Sequence, residues 1–194
     1  MMTMRSTPAL LGLALALAAS GTAAAPATYE FDTVHSQVHA SASHLGFSQS
    51  TARFPITGGR LVFDPGDWST ASVEATIDAA GLDFGDATWN EHMRAAQFFN
   101  TAEFPKLTFR STKVTGSGNR GTVEGELTML GQSHPVVLDV TFNRLADNPF
   151  SKKPTVGFSA TASLKRSAWG MSAYVPNVGD EVTIRIEVEA AKAD

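Results

Sequence analysis

The chain contains no cysteine. No disulfide braces it, no thiol can act as a nucleophile, and no N-terminal cysteine is present to carry a lipid anchor. Basic residues are outnumbered by acidic ones, 15 against 19, so the surface repels polyanions on average and nucleic acid is not an expected partner. The G-x-S-x-G nucleophile elbow is missing. So are linkers, internal repeats and low-complexity runs, and the roughly 168 residues beyond the N-terminal segment suit one domain with its own apolar core.

The apolar run Ala9 to Ala19 has 11 residues, where a membrane span needs about 20. It follows Arg5 and precedes "SGTAAAPA", which places small residues at the spacing a signal peptidase requires. Residues 1–25 therefore read as a secretory signal. Cleavage after Ala24 or Ala27 keeps Pro26 out of the first mature position. Removing Arg5 leaves 14 basic residues against 19 acidic ones, a net charge of −5. The domain at 26–194 is expected in the periplasm or secreted, without a membrane span of its own.

From Gln37 the hydrophobic period is two. "VHASASHL" sets Val38, Ala40 and Ala42 on one face, and "SVEATIDAAGL" does the same for Val73, Ala75, Ile77 and Ala79. The alternation returns at Val136–Phe142, Val156–Leu164 and Val182–Val188, and with Phe54–Asp64, Lys106–Thr115 and Thr122–Leu130 the count is about eight strands. "LGQS" at 130–133 reads as a short turn and "TGSGNRG" at 115–121 as a longer Gly-rich one. Strands with one apolar and one polar face, joined in series, fit an eight-stranded antiparallel lipocalin-like β-barrel with a short α-helical insertion. A two-sheet sandwich is the alternative.

The inward parity is rich in alanine: Ala40, Ala42, Ala75, Ala79, Ala160 and Ala162. Either these accommodate the taper of the barrel, or they leave an elongated apolar pocket. The insertion "WNEHMRAAQFFNTAEFP" at 89–105 has helical spacing, with Trp89, Met93, Ala96 and Asn100 near one direction, His92 and Phe99 beside them, and Phe98 nearly opposite. It is expected to lie across one end of the barrel as an 11-residue helix, ended by Pro105.

Two other signals dissolve on inspection. "GSGNRG" at 116–121 satisfies G-x-G-x-x-G, but a strand follows it where the dinucleotide fingerprint needs a helix. His35 and His39 on one extended strand would stand about 13 Å apart, and His92 and His134 have no local partner, so no metal site is expected. Asp83 and Asp86 read as turn residues.

The blocks "HLGFS" at 44–48, "EHMRAAQFFNTAEFPKLTFRST" at 91–112, "GELTMLGQSHPVVLDV" at 125–140 and "SAWGMSAYVPNVGDEVTIRIEVEA" at 167–190 resemble those of the YceI-like, polyisoprenoid-binding family. His92, Arg94, Phe98, Phe99 and Pro105 match its H-L-R…F-F…P block, with Met93 in place of Leu. Trp169, Gly170 and Met171 stand where F-G-M is usual, and Trp89 and Asn90 replace a common Arg-Asp pair. The resemblance implies a lipocalin-like barrel, usually periplasmic, that holds a long isoprenoid or similar lipid.

The expected wall residues are Leu45, Phe47, Ala75, Ile77, Phe109, Leu127, Met129, Phe142, Phe158, Ala160 and Trp169. Trp89, His92, Met93, Arg94, Phe98 and Phe99 are expected at the mouth, with His92 and Arg94 facing a phosphate or quinone oxygen. No cofactor is required beyond the bound lipid, polyisoprenoid or quinone-like, and the chain is expected as a monomer or weak homodimer. Two further classes stay open: a lipid isomerase or hydrolase using His92, and a module that binds a membrane redox protein. Intact-mass measurement of the exported protein is expected to give a chain beginning at Ala25 or Thr28; a mass that retains the first 24 residues would remove the export reading.

Overall fold

The computed structural model describes residues 25–194; the expected signal segment lies outside them apart from Ala25. The strands are β1 (Ala27–Phe31), β2 (Gln37–His44), β3 (Ser48–Phe63), β4 (Ser72–Asp78), β5 (Lys106–Ser117), β6 (Arg120–Met129), β7 (Gln132–Asp147), β8 (Pro154–Lys165) and β9 (Val178–Lys192), with the helix α1 (Ala87–Arg94) between β4 and β5. Every pairing is antiparallel. β2 to β9 run up and down in sequence order, and β9 returns to β2, closing an eight-stranded barrel rather than a sandwich.

β1 and β2 share one place in the wall. β1 pairs with the end of β3 and the end of β9, while β2 pairs with the beginning of each. The break between them is a side-chain turn: Asp32 Oδ1 accepts from the Val34 and His35 N–H groups at 2.9 and 3.2 Å. Buried Ser36 repairs the ladder there, its hydroxyl donating to the Glu189 carbonyl and accepting from the Glu189 N–H, both at 3.1 Å.

The parity expected from the sequence holds on β2, β4, β7, β8 and β9; β5 shifts its alternation at a bulge between Ser111 and Lys113, and β3, which shifts between Ile56 and Gly58, begins at Ser48, before the expected Phe54. Its first inward residues, Ser50 and Ala52, are too small and polar to stand out as a hydrophobic pattern. The β6–β7 turn has Leu130 and Gly131 both at positive φ, 52° and 73°, the twist a two-residue hairpin needs. The β5–β6 connection is tighter than expected, because pairing continues to Ser117 and Arg120. Gly116 and Gly121 serve another purpose: a Cβ on either would come within 2.6 or 2.5 Å of the Trp68 ring.

Trp68 opens a short 3-10 turn after β3, capped by the Asp67 carboxylate on the Ser69 N–H. Its ring and those of Phe63, Phe142 and Phe158 pack with centroids 5.1 to 6.3 Å apart and form an aromatic floor. The opposite end, where the β2–β3, β4–β5, β6–β7 and β8–β9 connections gather, is the mouth.

His35 and Asp32 make the turn between β1 and β2 sensitive to pH. Their 2.8 Å hydrogen bond holds the Asp32 carboxyl below its ordinary range and raises the His35 imidazole. The Asp32 contribution is present above about pH 3.9 and is lost as pH falls through the lower folded value; that of His35 is full below about pH 6.5 and is lost as pH rises through the higher folded value. The melting-temperature difference between the native protein and His35→Asn is therefore expected to be largest near pH 5.5 and to shrink by pH 8.5, as thermal denaturation at both pH values would show.

Candidate functional site

Between floor and mouth lies a cavity of about 530 Å³. Its walls are the inward residues of the barrel strands, including Val38, Ala40 and Ala42 of β2, Val73, Ala75 and Ile77 of β4, and Val182, Ile184, Ile186 and Val188 of β9. Alanine at the inward positions stops short of the axis, so the eight-stranded ring keeps a lumen instead of filling it.

The mouth is built by three segments. α1 starts where the Asp86 carboxylate accepts the Trp89 N–H at 2.8 Å. Asn90 pins the approach, accepting from the Phe84 N–H at 2.7 Å and donating to Asp83 at 3.1 Å. The Gly85 N–H and then Asn90 hold the Asp83 carboxyl low. Trp89 stacks on Phe84 at 5.0 Å and approaches His44 at 6.1 Å. α1 ends at Arg94 rather than near Pro105, and the chain then folds through turns, with the Phe98, Phe99 and Thr101 N–H groups donating to the Ala95, Met93 and Arg94 carbonyls. That early end reverses the expected direction of Phe98, which is buried and faces the cavity beside Met93 and Phe99.

The second segment, between β8 and β9, is organised by Arg166. This buried guanidinium donates to the carbonyls of Gly179, Met171, Ala173 and Val178 at 2.8 to 3.0 Å. Burial lowers its pKa, and the nearby Asp180 partly offsets this. The Ser167 N–H and hydroxyl bond to Asp180 and keep its carboxyl low. Tyr174 of this loop meets Phe98 at 6.1 Å. The third segment is the β2–β3 turn, tied to the second by the Leu45 N–H on the Asn177 carbonyl at 2.9 Å.

Of the expected wall residues, Leu45, Ala75, Ile77, Phe109, Leu127, Met129, Phe158 and Ala160 line the cavity. Three do not. Phe47 is 89% exposed at the tip of the β2–β3 turn, because the positive-φ pair Leu45 and Gly46 turns the chain away. Phe142 belongs to the floor. Trp169 is buried in the 3-10 turn after β8, donating to the Leu127 carbonyl at 3.1 Å with its ring against His134. At the mouth, Trp89, His92, Met93, Phe98 and Phe99 line the cavity, but Arg94 does not. Its guanidinium donates to the Ala80 and Leu82 carbonyls and to Glu91, stapling α1 to the exit of β4. Arg166 and Trp68 were not expected at the site: one reads as a surface cation on a strand end, the other as a loop aromatic. Asp32, His35 and Glu189 also meet unexpectedly, on the outer wall, with ligand atoms within 4.8 Å of one another.

The YceI-like domain model matches residues 29–190. The chain belongs to the YceI-like family. The family member YceI of Escherichia coli O157:H7 is 32% identical over 186 residues, covering 94% of this chain and 97% of that protein. The crystal structure of BcnA from Burkholderia cenocepacia, 26% identical, superposes with a TM-score of 0.74 over 82% of this chain and 99% of its own. A polyisoprenoid binding domain from Saccharophagus degradans shares the fold at 14% identity, with a TM-score of 0.61 over 85% of this chain and 98% of that one. Among the described residues no helix is long and apolar enough to cross a membrane.

In the YceI-like loop between β8 and β9, and at the start of β9, one side chain, Arg166, gathers four carbonyls. Arg166→Met is expected to lower stability by about 3 kcal/mol, several charge-assisted hydrogen bonds being lost together, and to raise amide exchange selectively across 170–179. Urea denaturation and hydrogen exchange would measure the two effects.

Proposed function

We propose that this protein is an exported, periplasmic carrier that takes an amphiphilic lipid of the isoprenoid or quinone type into the barrel. The observation that carries this reading is the cavity of about 530 Å³ walled by apolar side chains, a volume in the range of ligand sites. The Saccharophagus domain with this fold is itself a polyisoprenoid binding domain. The driving force is partition: at about 0.8 kcal/mol per buried CH₂, each isoprene unit contributes about 3–4 kcal/mol, and three or four enclosed units outweigh the cost of association.

Binding rather than turnover suits the mouth. The His92 ring packs on Phe98 at 5.0 Å, and among the described residues no carboxylate is hydrogen-bonded to it to orient an acid or base.

Ala75 and Ala160 supply the test, since both are inward and line the cavity. Ala75→Phe and Ala160→Phe fill the lumen and are expected to weaken binding of a polyprenyl or quinone probe about tenfold or more, or 1.4 kcal/mol, while the far-ultraviolet circular dichroism of the barrel persists. Native mass spectrometry of the lipid-loaded protein measures this. Undiminished loading of both folded variants would move the ligand out of the barrel.

A further inference from the structure

We infer that the cavity selects an amphiphile with an uncharged, hydrogen-bonding head, a quinone or an alcohol, and discriminates against a diphosphate on the same tail. This inference rests on the carrier reading above and adds the chemistry of the head group.

Charge is the first ground. Among the residues lining the cavity, Arg166 alone carries a permanent charge. Its Nε, Nη1 and Nη2 all already donate to backbone carbonyls, so the forked pair of N–H groups that a phosphate would need is taken. Arg94, the cation of the 79–105 connection, is turned away onto Ala80, Leu82 and Glu91. The connections that surround the opening add negative charge: residues 79–105 carry Asp83, Asp86, Glu91 and Glu103 against Arg94, four acidic groups to one basic. The β2–β3 and β6–β7 turns, 45–47 and 130–131, carry none, and the β8–β9 connection, 166–177, carries only Arg166, so the four connections together hold four acidic groups to two basic. A diphosphate drawn inward would lose its hydration without a counter-charge, and one left at the rim would face an acidic segment.

The neutral polar groups are the second ground. Ser50 is a wall residue whose hydroxyl is buried without a hydrogen-bond partner among the described residues. The register pairs it with Ala42, so His44, two residues further along β2, stands diagonally beside it on the same inner face. His92 reaches the lining from α1. A hydroxyl and two imidazoles near the mouth can satisfy a carbonyl or hydroxyl oxygen without supplying a fixed charge.

The experiment compares geranylgeraniol, geranylgeranyl diphosphate and the hydrocarbon phytane on the mature protein by tryptophan fluorescence titration, with Ser50→Ala in parallel. The alcohol is expected to bind about tenfold or more tighter than the diphosphate. Ser50→Ala is expected to weaken the alcohol about fivefold and to leave phytane unchanged, which also reports that the variant is folded. Diphosphate binding equal to or tighter than the alcohol overturns the inference while leaving carriage intact. Unchanged alcohol affinity in Ser50→Ala overturns the assignment of that hydroxyl. Failure of all three probes, phytane included, overturns the carrier reading and the inference with it.

Discussion

A β-strand gives every second side chain to one face, and a closed barrel assigns that face to an interior with no second layer to fill it. The rest of the structure depends on this allocation. Large inward residues would meet at the axis and make a solid core. Here β2, β4 and β8 place alanine inward at the middle of the wall, at Ala40, Ala42, Ala75, Ala160 and Ala162, and the lumen stays open. The same alternation sends Arg53, Glu74, Arg185 and Glu187 outward, so a protein lined with hydrocarbon still presents a polar exterior.

An open lumen has two ends, and this chain treats them differently. The floor is closed by aromatic contact, with Trp68 seated against two glycines whose lack of a side chain makes room for it. The mouth is framed by backbone whose carbonyls are gathered by two arginines: Arg166 holds the β8–β9 loop, and Arg94 fastens α1 to the end of β4. A guanidinium can do this because its donors fan out in one plane and reach carbonyls from different turns. Using both cations as internal fasteners sets the electrostatic character of the opening.

The barrel was legible because period-two alternation is a local property, and strands from Gln37 to Val188 display it directly. The wall of the cavity followed from the same parity. What could not be read locally was where a side chain goes after a turn. Helical geometry extended past Arg94 points Phe98 away from the lumen, whereas the helix, begun by Asp86, is only two turns long. Phe47 and Trp169 look like their apolar neighbours in sequence, yet a positive-φ pair throws one into solvent and a 3-10 turn buries the other against His134, off the cavity lining. Arg94 and Arg166 are anonymous cations until the carbonyls that surround them are brought in from other segments. Ser36 and Glu189 meet only through the pairing of chain ends, a relation that no spacing rule contains.

That pairing has a consequence for biosynthesis. β1 and β2 emerge first, but one of their two neighbours is β9, the last strand of the chain. Until Val178–Lys192 has been delivered, the ring stays an open sheet with β2 and β8 as raw edges and an apolar inner face in contact with water. Closure therefore comes late in synthesis, when the final strand pairs with β1 and β2 on one side and with β8 on the other.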